Sequence, residues 1–230
     1  MLVGGHSAEG AELALGFAVT GRPHPGKLLR KGGLHRGDRL ILTKPLGTGV
    51  ILAADARGVA PASVVEGAIA TMVQSAALAA TCLVAHRATA CTDVTGFGLL
   101  GHLLEMLRAS DMDAVLDPEV VPALDGALSL FDRGIASSLH ADNVAALAVL
   151  DTGHANPADP LVALLIDPQT AGGLLAGVRA DRTAGCLAEL RGLCYRAAEI
   201  GFITRMAGGA PRVYLDPGAT QTLPEPAVAS

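Results

Sequence analysis

Cys91-Thr92-Asp93-Val94-Thr95-Gly96-Phe97-Gly98-Leu99-Leu100-Gly101-His102-Leu103-Leu104 is the stretch on which the reading of this chain turns. One acid stands among small polar residues, and a Gly-x-Gly turn follows it. Leu99, Leu100, Leu103, Leu104 and Leu107 then recur at the helical period, so a helix begins just after Gly98. Free N–H groups and the positive dipole end at a helix start favour an anion, and Asp93 offers a hard oxygen to Mg²⁺. The competing reading is that Asp93 only caps the turn. His102 reads as a helix-surface or satisfied core histidine. Cys91, with no neighbouring His or basic residue, reads as packing rather than as a nucleophile.

Three other segments carry chemistry. Asp167-Pro168-Gln169-Thr170-Ala171-Gly172-Gly173 follows Leu161–Ile166, read as a buried strand, and loops at strand ends are where α/β sheets place ligands. A tight turn with Asp167 bonding its own backbone is the alternative. Thr43-Lys44-Pro45-Leu46-Gly47-Thr48-Gly49 closes a buried strand over Asp38–Lys44. It has the composition of a phosphate loop without the GxxxxGK[ST] spacing, which excludes Walker-type chemistry. Lys44 is read as a solvated strand-end charge, with a phosphate contact as the other option. In Gly4-Gly5-His6-Ser7 two residues without a Cβ let the backbone approach a ligand and present N–H groups to a phosphate; an ordinary turn competes.

Working outward, Leu13–Gly21 reads as a strand, and the Gly-, Pro- and basic-rich Arg22–Gly37 as a domain boundary. Helices are expected over Pro61–Ala85, Glu119–Phe131, His140–Leu150 and Arg182–Leu193. Further strands are expected at Ala114–Leu116, Leu174–Val178 and Arg212–Leu215. Strands interleaved with helices give an α/β (α+β) fold, a mixed sheet with flanking helices. With 42 alanines, 28 glycines and 3% aromatic residues, its core must be built from small and aliphatic side chains.

Composition also excludes. The net charge of −5 and the absence of a Lys/Arg cluster argue against a nucleic-acid binder. The apolar run Ala76–Ala85 is too short to span a membrane, and the first residues lack the basic start of a secretion signal. Four cysteines without a CxxC pair indicate a reduced cytoplasmic protein with incidental thiols. Seven histidines show no HExxH, so a zinc hydrolase is disfavoured; no Gly-x-Ser-x-Gly elbow or Rossmann glycine fingerprint occurs.

In this order, Gly4–Ser7, Leu42–Gly49, Cys91–Leu103 and Asp167–Leu175 closely resemble selenophosphate synthetase (selenide, water dikinase), of the aminoimidazole-ribonucleotide synthetase superfamily. The resemblance covers residues 2 to about 216. It implies a Mg²⁺-dependent reaction in which ATP, selenide and water give selenophosphate, AMP and phosphate. It implies Asp93 as a metal ligand, with Thr95, Gly96, Gly98, Asp167 and Thr170 as a supporting loop. Gly4, Gly5, His6 and Ser7 would line the ATP phosphates across the interface of a homodimer. The implied organisation is a remnant of a β-rich ATP-binding and dimerisation domain over 1–36, an α/β domain over 37–216 and a flexible tail over 217–230.

The departures from the family are as telling. The family's Gly-rich loop with its reactive cysteine and lysine, and the aspartates after it, have no counterpart here, so no catalytic residue is assigned. Ala171 stands where the family has Ser, and Ala76, after Ser75, where it has Asn. One aspartate leaves most of an octahedral Mg²⁺ shell to water, and phosphoryl transfer depends on positioning and charge, so little activity is expected of the chain alone. The alternative is a non-catalytic interaction or regulatory module of the same fold, fused to a redox enzyme. The wording of the Asp93 and Asp167 segments disfavours a relative acting on purine, thiamine or hydrogenase-maturation substrates.

Overall fold

Leu40 and Leu42 point to one side of their strand and Ile41 to the other, and all three are fully buried. A strand apolar on both faces must lie mid-sheet under two helical layers. The computed structural model describes residues 3–7, 9–11, 14, 16–22, 24–151, 159–205 and 208–221. In it β1 (Arg39–Leu42) pairs antiparallel with both β5 (Leu174–Val178) and β6 (Ala198–Arg205). Beyond β5 lies β2 (Ala90–Asp93); beyond β6 lie β3 (Met112–Leu116), β7 (Val213–Leu215) and β4 (Leu150–Asp151). The seven-stranded order is β2-β5-β1-β6-β3-β7-β4, antiparallel except for the β3–β7 and β7–β4 pairs.

One face carries α1 (Thr48–Ala56), α2 (Ala62–Val73), α4 (Gly98–Arg108), α5 (Ala127–Asp132) and α7 (Pro160–Ile166) over the larger core. The other carries α3 (Ala77–Ala85) and α8 (Ala180–Gly192) over a smaller one. A short α6 (His140–Asn143) lies at the edge of the first layer. Ala54, Ala68, Ala79 and Ala127 are buried, the close small-residue packing that the composition demands.

Several expectations fail for identifiable reasons. Leu161–Ile166 is helical, not a strand: Asp159 Oδ1 accepts from the Leu161 N–H at 2.9 Å and Pro160 takes the first turn. Residues 162–166 are all buried, so no amphipathic period marks the helix. Pro61–Ala85 is two helices bent by 55°, because Gln74 turns extended and Ser75 Oγ accepts from the Ala77 N–H to start α3. Tyr195 also holds this break, its hydroxyl donating to the Ser75 carbonyl at 2.6 Å, beside the Ala76 position.

Pro122 and a left-handed Gly126 confine the helix expected over Glu119–Phe131 to α5, after a 3-10 turn at Pro118–Val120. His140–Leu150 divides into α6, a 3-10 segment over Val144–Val149 and β4. In Leu13–Gly21, Leu13 and Leu15 lie outside the described residues; the described remainder forms no strand and leaves Phe17 and Val19 exposed.

Leu34 is buried, the Arg30 carbonyl accepts from the Cys91 N–H at 2.7 Å, and Lys31 pairs with Glu105, so the stretch before residue 37 already packs on the α/β core. At the other end, Thr220 Oγ1 donates to the buried Asp117 at 2.9 Å and Ala219 is buried, so the expected flexible tail is anchored up to there; 222–230 lie outside the described residues. No single described helix is long and apolar enough to cross a membrane; α2 and α3 together reach the length but are bent at their junction.

Candidate functional site

Three loops meet at one end of the sheet: 43–49 after β1, 93–98 after β2, and 167–173 before β5. Backbone bonds stitch them together. The Val94 N–H donates to the Gly173 carbonyl at 2.9 Å and the Gln169 N–H to the Thr95 carbonyl at 3.0 Å. Gly98 sits at φ +70, and a Cβ there would come within 2.7 Å of the Ile166 carbonyl carbon. Glycine is therefore required for α4 to start against the end of α7.

The 43–49 loop is not an anion cradle. Gln169 Oε1 accepts from the N–H groups of Gly47 and Thr48 at 3.0 and 3.1 Å and from the Thr48 hydroxyl. Asp167 Oδ2 accepts from Gly49 and Val50 at 3.1 and 3.3 Å. The first N–H groups of α1 are thus satisfied by the chain itself, and Gln169 Nε2 donates back to Asp167. Thr170 joins through its N–H, which donates to Thr48 Oγ1 at 2.9 Å. Asp167 does more than turn its own loop: it is fully buried, and burial pushes its carboxyl up to about 7 against the opposing pull of the Val50, Gln169 and Gly49 hydrogen bonds.

Lys44 corrects the reading of a solvated charge. It is buried, and its Nζ donates to the carbonyls of Thr71, Gln74 and Ala171 at 2.9, 2.6 and 3.2 Å. The ammonium caps the negative end of α2 and ties it to the 167–173 loop, while burial lowers its pKa.

Around the second loop, Thr95 Oγ1 lies 3.1 Å from His102 Nε2, and His102 Nδ1 lies 3.1 Å from Glu105 Oε2. Lys31 donates to the same Glu105 oxygen at 2.7 Å, and this bond is the first cause holding the Glu105 carboxyl below its ordinary range. His102 is therefore a satisfied core histidine. Asn143 Nδ2 donates to the carbonyls of Gly96 and Ile166 at 2.8 and 2.9 Å, pinning the glycine turn. Burial, and then the Asp93 charge, push the Cys91 thiol up to about 12, which suits packing and not nucleophilic attack.

Against this background Asp93 differs from its neighbours. It ends β2 opposite Leu174, is exposed, and its carboxylate accepts no hydrogen bond among the described residues. Those free lone pairs fit one corner of a Mg²⁺ shell. Among the described residues Asp93 joins no group of three or more close metal-ligating side chains, so the fit is to a single corner. The structure brings Asp93, Thr95, Gly96, Gly98, Asp167 and Thr170 to one end of the sheet. Gly4, Gly5, His6 and Ser7 are exposed, and nothing lies within 4 Å of a Cβ placed on either glycine. Gln169 lay inside the quoted Asp-Pro-Gln-Thr stretch, but its partners 121 and 122 residues away gave no local signal, and Asn143 carried none.

Curated relatives named selenide, water dikinase match much of the chain. The Geobacter metallireducens protein is 41% identical over 177 residues, 76% of this chain and 50% of the relative. That of Citrifermentans bemidjiense is 39% identical over 216 residues, 93% and 61% respectively. The chain thus spans about half the length of the curated relatives it matches. Among solved structures, thiamine-monophosphate kinase from Stenotrophomonas maltophilia K279a superposes with a TM-score of 0.57 at 19% identity, over 82% of this chain and 53% of that one. The E. coli hydrogenase maturation protein HypE gives 0.55 at 20%, over 87% and 53%. At such identities the likeness concerns the fold. Residues 35–213 match the family described as AIR synthase related protein, C-terminal domain, and with this mixed sheet and its two helical layers the chain belongs to that family.

Proposed function

We propose that this chain is the C-terminal part of a selenide, water dikinase, which converts ATP, selenide and water into selenophosphate, AMP and phosphate. The observation that carries the reading is the exposed, unpartnered carboxylate of Asp93 in a chain whose curated relatives bear that name. Asp93 holds one corner of a Mg²⁺ ion, which when bound neutralises phosphate charge on ATP. Thr95, Gly96 and Gly98 fix the turn that aims Asp93. Asp167 and Thr170 fix the facing loop through α1. Gly4, Gly5, His6 and Ser7 present backbone N–H groups to the ATP phosphates from the partner of a cytoplasmic homodimer, with residues 1–36 as the dimerising segment. No residue here is assigned as nucleophile or proton carrier.

A lone carboxylate leaves Mg²⁺–ATP weakly held, so these residues alone should turn over little. The test is AMP release from ATP with selenide and Mg²⁺. The isolated chain is expected to give no more than background, and Asp93→Ala in a full-length dikinase should weaken Mg²⁺-dependent ATP binding. Full turnover by the isolated chain would overturn the lone-carboxylate argument, and unchanged binding in the variant would remove Asp93 from the site.

A further inference from the structure

A second group of donor atoms lies on the opposite face of the sheet, where α3 packs on α8. Cys82 lies on α3 and His86, four residues on, caps its C-terminal end, while Glu189 projects from α8. The Cys82 sulfur, a His86 ring nitrogen and a Glu189 carboxylate oxygen all lie within 4.8 Å of one another, the one such group of three among the described residues. His86 Nε2 is 2.8 Å from Glu189 Oε2. The cysteine is 1% exposed, while the side chains of His86 and Glu189 are 22% and 48% exposed. Thiol at the floor and imidazole and carboxylate at the rim make a site closed below and open to solvent above. The His86 ring packs on α8 beside Gly185, where a Cβ would sit 3.4 Å from its Cε1.

We propose that Cys82, His86 and Glu189 bind one Zn²⁺ ion, with the fourth coordination position open to water. The donor set selects the ion. Sulfur at about 2.3 Å, imidazole nitrogen at about 2.0–2.1 Å and carboxylate oxygen at about 2.0–2.2 Å are the bonds zinc makes, and a three-ligand site with one open position is a form it takes. Magnesium and calcium prefer oxygen alone, so this site differs in chemistry from Asp93. Tetrahedral bonds of those lengths put donor atoms roughly 3.3–3.8 Å apart, so the sulfur would draw in while the His86–Glu189 pair opens from 2.8 Å, both within side-chain rotation. The Cys82 sulfur can make that move, held by a weak 3.8 Å contact to the Cys186 carbonyl and by Glu189, itself one of the three ligands. The ion would clip α3 to α8 over the smaller core. Neither the helix break before α3 nor the Asp93 loop takes part, so the site stands whether or not the chain belongs to a dikinase.

The experiment is a Co²⁺ titration of the reduced, chelator-stripped chain, with cobalt as the spectroscopic stand-in for zinc. Saturation at one equivalent is expected, with intense tetrahedral d–d bands and thiolate-to-cobalt charge-transfer absorption, both erased by Zn²⁺. Cys82→Ser should lose the charge-transfer absorption. His86→Gln and Glu189→Gln, changed at the half-open rim where folding is least at risk, should lose stoichiometric binding. Cys194→Ser, at the exposed cysteine, should bind as the parent does. Absence of charge-transfer absorption, its survival in Cys82→Ser, unaltered binding in both rim variants, or its loss in Cys194→Ser would each overturn the proposal.

Discussion

Asp167 shows how a single buried carboxyl can set a pH dependence. Its folded pKa of about 7 lies above the ordinary 3.8, so between these values the folded chain holds a proton that the unfolded chain releases. The stability it contributes is fully present below about 3.8 and is lost as the pH rises through about 7. From the size of the shift the swing is on the order of 4 kcal/mol. Urea melts from pH 4 to 8 should show that fall in the parent. Asp167→Asn, which keeps an oxygen to accept from Gly49 and Val50, should differ from the parent by a margin that grows with pH in its favour. A constant difference across that range would mean the carboxyl is ionised throughout. Sequence alone marked Asp167 because of the Asp-Pro-Gln-Thr wording, yet its partners sit 117 and 118 residues away at the head of α1, a pairing no local pattern announces. Asp93 was the opposite case: a hard acid before a Gly-x-Gly turn and a leucine-periodic helix is local information, and the structure keeps it local.

Among the elements, α4 was the most legible, since its five leucines follow the helical period and four of them are wholly buried. α7 was the least, because a short helix sunk on every side has no period to read, and only the Asp159-Pro160 start distinguishes it from a strand. β2, β6 and α1 are not among the elements the sequence predicts. β6 carries Gly201 and a register shift opposite Leu40 and Ile41, while α1 opens with the Gly47-Thr48-Gly49 run that reads as a turn. The junction of α2 with α3 depends on Lys44, whose ammonium satisfies three carbonyls at once. Lys44→Met fits the apolar stem but leaves those carbonyls unserved, and should cost about 2–4 kcal/mol in urea denaturation. A loss under 0.5 kcal/mol would show that water replaces the ammonium there.

For the whole molecule, the first residues include strongly exposed apolar side chains: Phe17 is 79% and Val19 92% exposed, and Leu28 is more than half exposed. Such residues, outside any described strand, are a surface seeking cover. Sedimentation velocity of the chain should therefore show self-association, and removing residues 1–26 should leave a folded monomer, since packing on the core begins at Leu29. A monomer before truncation would count against the dimerising role given to residues 1–36.

The strand order has a consequence for how this protein is made. Among the described residues β6 lies between β1 and β3 and joins them, although it follows both in the sequence. As the chain leaves the ribosome, β1 and β3 must wait, unpaired on facing edges, until about residue 205 has emerged. Until then the described strands can pair only as β2-β5-β1, while β3 and β4 stay bare because β7, which lies between them, emerges later still, and in that interval the growing polypeptide is open to aggregation and to proteases.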